Sequence, residues 1–164
     1  MKVREIMTSN PKACTPTTTL AEAAGLMWDG DCGVLPVVSD GGKVVGLITD
    51  RDICMAAAIN NRNLSNIAVQ DVTNGQVYST KSEADVHKAL EIMREHKIRR
   101  LAVVADDETL EGILSMNDIV LNAHEAKGKK LPAISYSDVV STYKAICGHI
   151  EPLPEPAQAV AAAG

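Results

Sequence analysis

The chain has 164 residues, a formal net charge of −5, 46% hydrophobic and 2% aromatic residues, and no phenylalanine. An acidic chain this poor in rings lacks the broad basic surface of a general nucleic-acid binder and the stacking platforms of single-strand binders. Its four cysteines show no paired C-x-x-C spacing and no run of about eighteen apolar residues occurs, which argues against a disulfide framework, a zinc knuckle and a membrane span and predicts reduced thiols in a cytoplasmic protein.

In chain order, Thr19 and Glu22 have the spacing of a capping box, a hydroxyl and a carboxylate that satisfy each other's backbone N–H groups at a helix start. Leu20, Ala23, Ala24 and Met27 recur at helical spacing up to Gly30, predicting a helix with one buried stripe. Residues 35–38 and 43–48 are β-rich runs separated by Ser39, Asp40, Gly41 and Gly42, the pattern of a hairpin with a tight polar turn. Residues 50–59 read as a helix broken by Asn60, Asn61 and Asn63.

A linker and lead-in over 64–72 opens a second passage with the same order. Ser82 and Asp85 predict a cap with an acidic first turn, and Val86, Ala89, Leu90 and Met93 the buried stripe of its helix. Strands follow over 101–104 and 110–114, and a closing helix begins at 116–122. Short extended stretches precede each passage near 13–15 and 79–80. A polar, lysine-bearing connection over 128–137 leads to a weaker helix over 138–147, and residues 151–164, rich in Pro, Ala, Glu and Gln, read as a frayed tail.

The two passages are one element written twice. A slide of 66 positions superposes Val3 on Val69, Met27 on Met93, Leu35 on Leu101, Asp40 on Asp106, Gly46 on Gly112 and Asp52 on Asp118. The expected class is α/β, mixed α+β: a duplicated repeat, each a short sheet flanked by two helices, with one core shared between pseudo-twofold halves. The expected divisions are 1–66 for repeat one with its linker, 67–125 for repeat two, 126–150 for the connection and last helix, and 151–164 for the tail.

The repeated phrase is Gly46-Leu47-Ile48-Thr49-Asp50-Arg51-Asp52 and Gly112-Ile113-Leu114-Ser115-Met116-Asn117-Asp118, in pattern form G-h-h-[ST]-x-x-D. Together with the lead-ins at 3–8 and 69–73, and Leu35-Pro36-Val37-Val38 and Leu101-Ala102-Val103-Val104, it resembles a tandem pair of cystathionine-beta-synthase-type (CBS) domains over residues 1–125. The resemblance implies a stand-alone, non-enzymatic regulatory protein with two clefts between its halves. It further implies an adenine nucleotide or related adenosyl ligand, a homodimer built as a flat disk of four repeats, and an effector protein that receives the signal.

Residue chemistry bears on that implication. Thr49 and Ser115 stand at strand-to-helix boundaries, where a hydroxyl accepts an orphan helical N–H and the turn can face an anion. Asp52 and Asp118 return to the same face three residues on. By the resemblance these carboxylates receive ribose hydroxyls; the alternative is that they simply cap helices. Gly33 and Val34 of repeat one match Arg99 and Arg100 of repeat two, an exchange of small groups for guanidinium donors; the resemblance implies that these two positions meet the ligand's phosphates, which makes the repeat-two cleft the preferred site. Arg51, matched by Asn117, either reaches a phosphate across the interface or pairs with Asp50 or Asp52. The resemblance gives Ala13, Leu35, Val77 and Leu101 as the apolar slot for adenine.

The expected nucleotide site is therefore Val77, Arg99, Arg100, Leu101, Ser115 and Asp118, and the second possible site Ala13, Leu35, Thr49, Arg51 and Asp52. The ligand expected is AMP, ADP or ATP, with an adenosyl thioether or a nicotinamide dinucleotide as other candidates, and neither nucleic acid nor membrane as partner. No metal is expected, because His87, His96, His124 and His149 lack the i, i+4 spacing of a zinc helix, and no nucleophile and base pair is recognisable. The rival expectation is a structural or interaction module with empty clefts, acting as a homodimer. Trp28, matched by Arg94, is expected to pack, with a cover over the repeat-one cleft or a dimer face as alternatives.

Overall fold

Thr19 and Glu22 start the first helix as their spacing predicts: the Glu22 N–H donates to the Thr19 hydroxyl at 3.2 Å, and the Thr19 N–H and hydroxyl each donate to the Glu22 carboxylate at 2.9 Å. The structure, a computed structural model, describes residues 1–60, 62–73, 75–126 and 132–148. Asn61, residues 127–131 of the expected connection and the tail expected over 151–164 lie outside the described residues.

Repeat one comprises β1 (Thr8–Ser9), α1 (Leu20–Asp29), β2 (Val34–Val38), β3 (Val44–Thr49) and α2 (Asp50–Asn60). Repeat two comprises β4 (Ser79–Lys81), α3 (Val86–His96), β5 (Arg100–Val104), β6 (Leu110–Ser115) and α4 (Met116–Leu121), followed by α5 (Tyr136–Cys147). Both hairpins are antiparallel and carry the same register slip, between Val37 and Val38 and between Val103 and Val104. The turns correspond as well. Gly42 and Glu108 both have positive φ, +76° and +71°, at matching positions, and the turns bridge one another through Lys43 and Thr109.

Where sequence predicts one shared core, the structure has two, one per repeat, and the reason is an exchange of lead-ins. Val3 and Ile6 from the N-terminus pack in the core built on α3, β5 and α4, whereas Ile67 and Val69 close the core built on α1, β2 and α2. The backbone bonds are reciprocal. Val3 N–H donates to Ala84 O at 3.0 Å and Val86 N–H to Met1 O at 3.1 Å; Val69 N–H donates to Thr18 O and Leu20 N–H to Ile67 O, each at 2.9 Å. Thus β1 joins the sheet of the other repeat, Thr8 opposite Ile113 and Ser9 opposite Gly112, in the order β1-β6-β5-β4. Gly112 permits this approach, since a Cβ there would lie 2.8 Å from Met7 Sδ and from Thr8 O. Each fully buried Leu or Ile in these cores contributes about 1.5–3 kcal/mol, and neither core closes without the other repeat.

The last helix begins two residues before the expected 138, at Tyr136, because Ser135 and Asp138 form a capping box that the sequence reading passed over. Ile134, fully buried in the repeat-two core, anchors its start. Val139, Tyr143 and Ile146 lie against the same core. Thr142 is fully buried and accepts a hydrogen bond from Arg94 Nη1 at 3.3 Å.

Candidate functional site

Antiparallel register delivers the key residues in pairs. Arg100 lies opposite Ser115 at the end of the β5–β6 hairpin, as Val34 lies opposite Thr49 in β2–β3. The strands stop there because the next residues begin helices. Ser115 N–H and hydroxyl both donate to Asp118 Oδ2 at 2.7 Å, and the Asp118 N–H donates back to Ser115 Oγ at 3.4 Å. Thr49 and Asp52 repeat the pattern at 2.9, 2.7 and 3.2 Å. These bonds fix one carboxylate oxygen of each aspartate. Asp138 makes the same box with Ser135, whose hydroxyl and N–H hold its carboxyl below the usual carboxylate range.

Two clefts flank these helix starts. The larger, about 430 Å³, brings Arg99, Arg100, Ser115 and Asp118 together with Thr8, Lys12, Asp31 and Gly33 from repeat one and Tyr143 from α5. The smaller, about 280 Å³, is lined by Asp52, Thr73, Gln76, Tyr78, Ile98 and Arg100. The difference follows from two substitutions at matching positions. In the larger cleft the Lys12 stem runs beside Gly30, where a Cβ would come 3.1 Å from Lys12 Cδ; in the smaller, Tyr78 stacks on His96 with ring centroids 4.1 Å apart. Gly33 also makes room, since a Cβ there would meet Asp50 Oδ2 at 2.8 Å and Arg100 Nη2 at 3.6 Å.

The charges of the larger cleft are unspent. Among the described residues, Lys12, Arg99 and Arg100 form no ion pair and their side chains no hydrogen bond, whereas Arg4, Lys43 and Lys81 elsewhere find carboxylates. Three cations face two carboxylates, Asp31 and Asp118.

Several expected site residues stand elsewhere. Leu35 and Leu101 are fully buried in the two cores, because side chains alternate along a strand and Leu101 points away from the face that Arg100 shares with the cleft. Val77 and Ala13 line neither cleft, and their neighbours are exchanged: Gln76 and Tyr78 flank Asp52, while Pro11 and Lys12 flank Ser115 and Asp118. Thr49 caps α2 without lining the smaller cleft. Arg51 is exposed and pairs with neither Asp50 nor Asp52 through its side chain, nor does it line a cleft. Sequence reasoning missed Lys12 and Tyr143. Lys12 was hidden by the exchange of lead-ins, and Tyr143 lies outside the repeated unit.

A third hollow, a groove of about 480 Å³, runs between α1 and α2 past Ala24, Met27, Trp28, Cys32, Ile53 and Cys54. Trp28 is 87% exposed on its rim, against the expectation that it packs. Among the described residues no group of three or more His, Cys, Asp or Glu side chains is placed to hold a metal ion, and no helix is long and apolar enough to cross a membrane.

Two interlocked β-α repeats with paired inter-repeat clefts define a class of duplicated regulatory modules. The sequence matches the CBS domain family over residues 3–59 and 69–125, and the chain belongs to that family as a tandem, non-catalytic CBS pair. It is 32% identical over 139 residues to the CBS domain-containing protein YhcV of Bacillus subtilis (strain 168), covering 84% of this chain and 97% of that one. Its fold is similar to the CBS domain pair of protein MJ0100, solved in complex with 5′-methylthioadenosine and S-adenosyl-L-methionine, at TM-score 0.67 and 26% identity over 74% of this chain and 94% of that one. It is also similar to CBSX2 solved in complex with AMP, at TM-score 0.63 and 26% identity over 73% and 93% of the two chains.

Proposed function

We propose that the chain is an adenine-nucleotide sensor that binds AMP, ADP or ATP in the 430 Å³ cleft and signals through an effector protein or its own oligomer. The observation that carries this reading is the set of unpaired cations Lys12, Arg99 and Arg100 beside the Ser115–Asp118 box. Guanidinium groups that form no ion pair, in a cleft where cations outnumber carboxylates, suit phosphate oxygens, and Asp118 Oδ1, outside the capping bonds, is available to ribose hydroxyls. The bound AMP in CBSX2 supports the ligand class. Of the two ligands bound in MJ0100, 5′-methylthioadenosine carries no anion and S-adenosyl-L-methionine sets one carboxylate against two cationic groups, so both suit three unpaired cations less well than a phosphate does. Because the cleft draws on both repeats, binding biases their packing, and that bias is what a partner reads.

A second reading rests on its own observations. The Asp118 box has the same form as the Asp138 box at α5, so helix capping alone accounts for it, and α1 and α2 expose Trp28, Met55 and Ile59 as a homodimer face would. Calorimetric titration of nucleotide-stripped protein with AMP, ADP and ATP separates the two. The sensor reading predicts saturable binding, weakened at least tenfold by Arg100→Ala and by Asp118→Ala but not by Thr19→Ala, which removes a cap remote from the cleft. Binding indifferent to Arg100 and Asp118, or none at all, would transfer the function to the homodimer face.

A further inference from the structure

The family match ends at residue 125, yet one wall of the larger cleft comes from beyond it. Tyr143, on α5, lines the cleft beside Asn117 and Asp118 and packs at the same time on the repeat-two core. Among the described residues it is the only aromatic side chain in that cleft, and its hydroxyl has no hydrogen-bond partner. The helix that carries it is tied to repeat two along its length. Arg94 donates to Thr142, Lys97 Nζ donates to Gly148 O at 3.1 Å, His87 Nε2 lies 3.8 Å from Asp138 Oδ2, and His124 N–H donates to Ile134 O at 2.9 Å.

Building on the nucleotide reading of this cleft, we infer that Tyr143 is a ligand-contacting residue supplied from outside the repeats, and that it couples occupancy of the cleft to the docking of α5. A half-buried ring with a free hydroxyl, set against a cationic cleft, provides an apolar face and a hydrogen-bonding group to a nucleoside. The same ring is part of the contact that holds α5 on repeat two. A ligand that packs on it stabilises docked α5, and by linkage docked α5 strengthens the ligand by the same factor. α5 is thereby the output element: its protection reports whether the cleft is filled.

The test combines calorimetry with hydrogen exchange on the full chain, using ATP and AMP as probes. In the wild type, saturating nucleotide is expected to slow exchange of α5 amides at least fivefold. Tyr143→Leu keeps apolar contact with the repeat-two core and so keeps α5 docked in the free protein. It is expected to weaken binding fivefold or more and to abolish the gain in α5 protection. Val139→Ala trims an α5 contact at a residue that does not line the cleft and leaves α5 mostly docked; because affinity follows the docked fraction, it is expected to change affinity less than twofold. Three results would overturn the inference. Wild-type binding with unchanged affinity in Tyr143→Leu and no change in α5 exchange rejects it alone, as does an equal loss in Val139→Ala with α5 still protected in the free variant. Absence of any wild-type nucleotide binding rejects it together with the function on which it rests.

Discussion

The two repeats share a fold and differ in what covers their helices. On repeat two, α5 lies across α3 and α4, Arg94 bonds to it through Thr142, and Ile134 is buried beneath its start. On repeat one the matching residue is Trp28, 87% exposed, and the matching surface is the open groove between α1 and α2; Met55 and Ile59 of α2 are exposed outside that groove. A duplicated unit exposes the same apolar helical face twice. Here one face is satisfied by a segment of the same chain and the other keeps an aromatic residue at its rim, so the sequence difference between Arg94 and Trp28 records which face has a covering helix.

The largest expected effect probes that asymmetry. Ile134→Ala, which empties a fully buried position under α5, should lower stability by about 2–5 kcal/mol in urea unfolding. Trp28→Ala in dilute solution should change it by less than about 0.5 kcal/mol. Comparable losses from both would mean that the repeat-one face is covered too.

A smaller effect separates the two hairpin turns. At Glu108 a side chain occupies the left-handed region that Gly42 fills at the matching position, at a cost of roughly 1 kcal/mol. Glu108→Gly should therefore stabilise the protein by about that much and Gly42→Ala destabilise it. The exposed Glu108–Lys43 contact at 3.9 Å offsets little of this. Equal and opposite shifts in the urea midpoint are the check; a destabilised Glu108→Gly would contradict the turn comparison.

The covering helix also carries an acid dependence. The Asp138 carboxyl sits below its ordinary value of 3.8, chiefly because the Ser135 hydroxyl and then its N–H donate to it, with His87 and Arg94 adding and burial opposing. A carboxylate lowered on folding contributes stability that is whole above the ordinary value and is lost as pH falls through the depressed one. Wild-type stability should thus decline more steeply than that of Asp138→Asn once pH drops below 3.8, and parallel acid curves would remove this linkage. Last, the thiols report the two environments without a large energetic effect. Burial raises the Cys14 thiol to about 11, so it should resist alkylation at pH 8, while exposed Cys54 in the open groove reacts quickly. Concentration-dependent protection of Cys54 would identify that groove as the homodimer face.

Much of the fold was legible because its signals are local. The Thr19–Glu22 box, the stripe of Val86, Ala89, Leu90 and Met93, and both hairpins stand where spacing puts them. The exchange of lead-ins was not legible. Val3 and Val69 occupy the same position in their repeats, so the periodicity is identical whichever core each enters. That ambiguity hides Lys12, and it leaves the neighbours of Val77 beside Asp52 and those of Ala13 beside Ser115 and Asp118, the reverse of the expected grouping. Arg99, Arg100, Ser115 and Asp118 were found together because a hairpin's register, unlike a lead-in's destination, follows from its own turn. Leu35 and Leu101 were assigned to the ligand slot by resemblance, and strand alternation buries them instead.

The asymmetry of the clefts is the central claim, and binding stoichiometry tests it most directly. ATP titrated into the wild type should give one tight site per chain, lost in Arg99→Ala/Asp118→Ala, whose residues line the larger cleft and not the smaller, and kept in Asp52→Ala. Two equivalent sites, or a single site abolished by Asp52→Ala and retained in Arg99→Ala/Asp118→Ala, would contradict it.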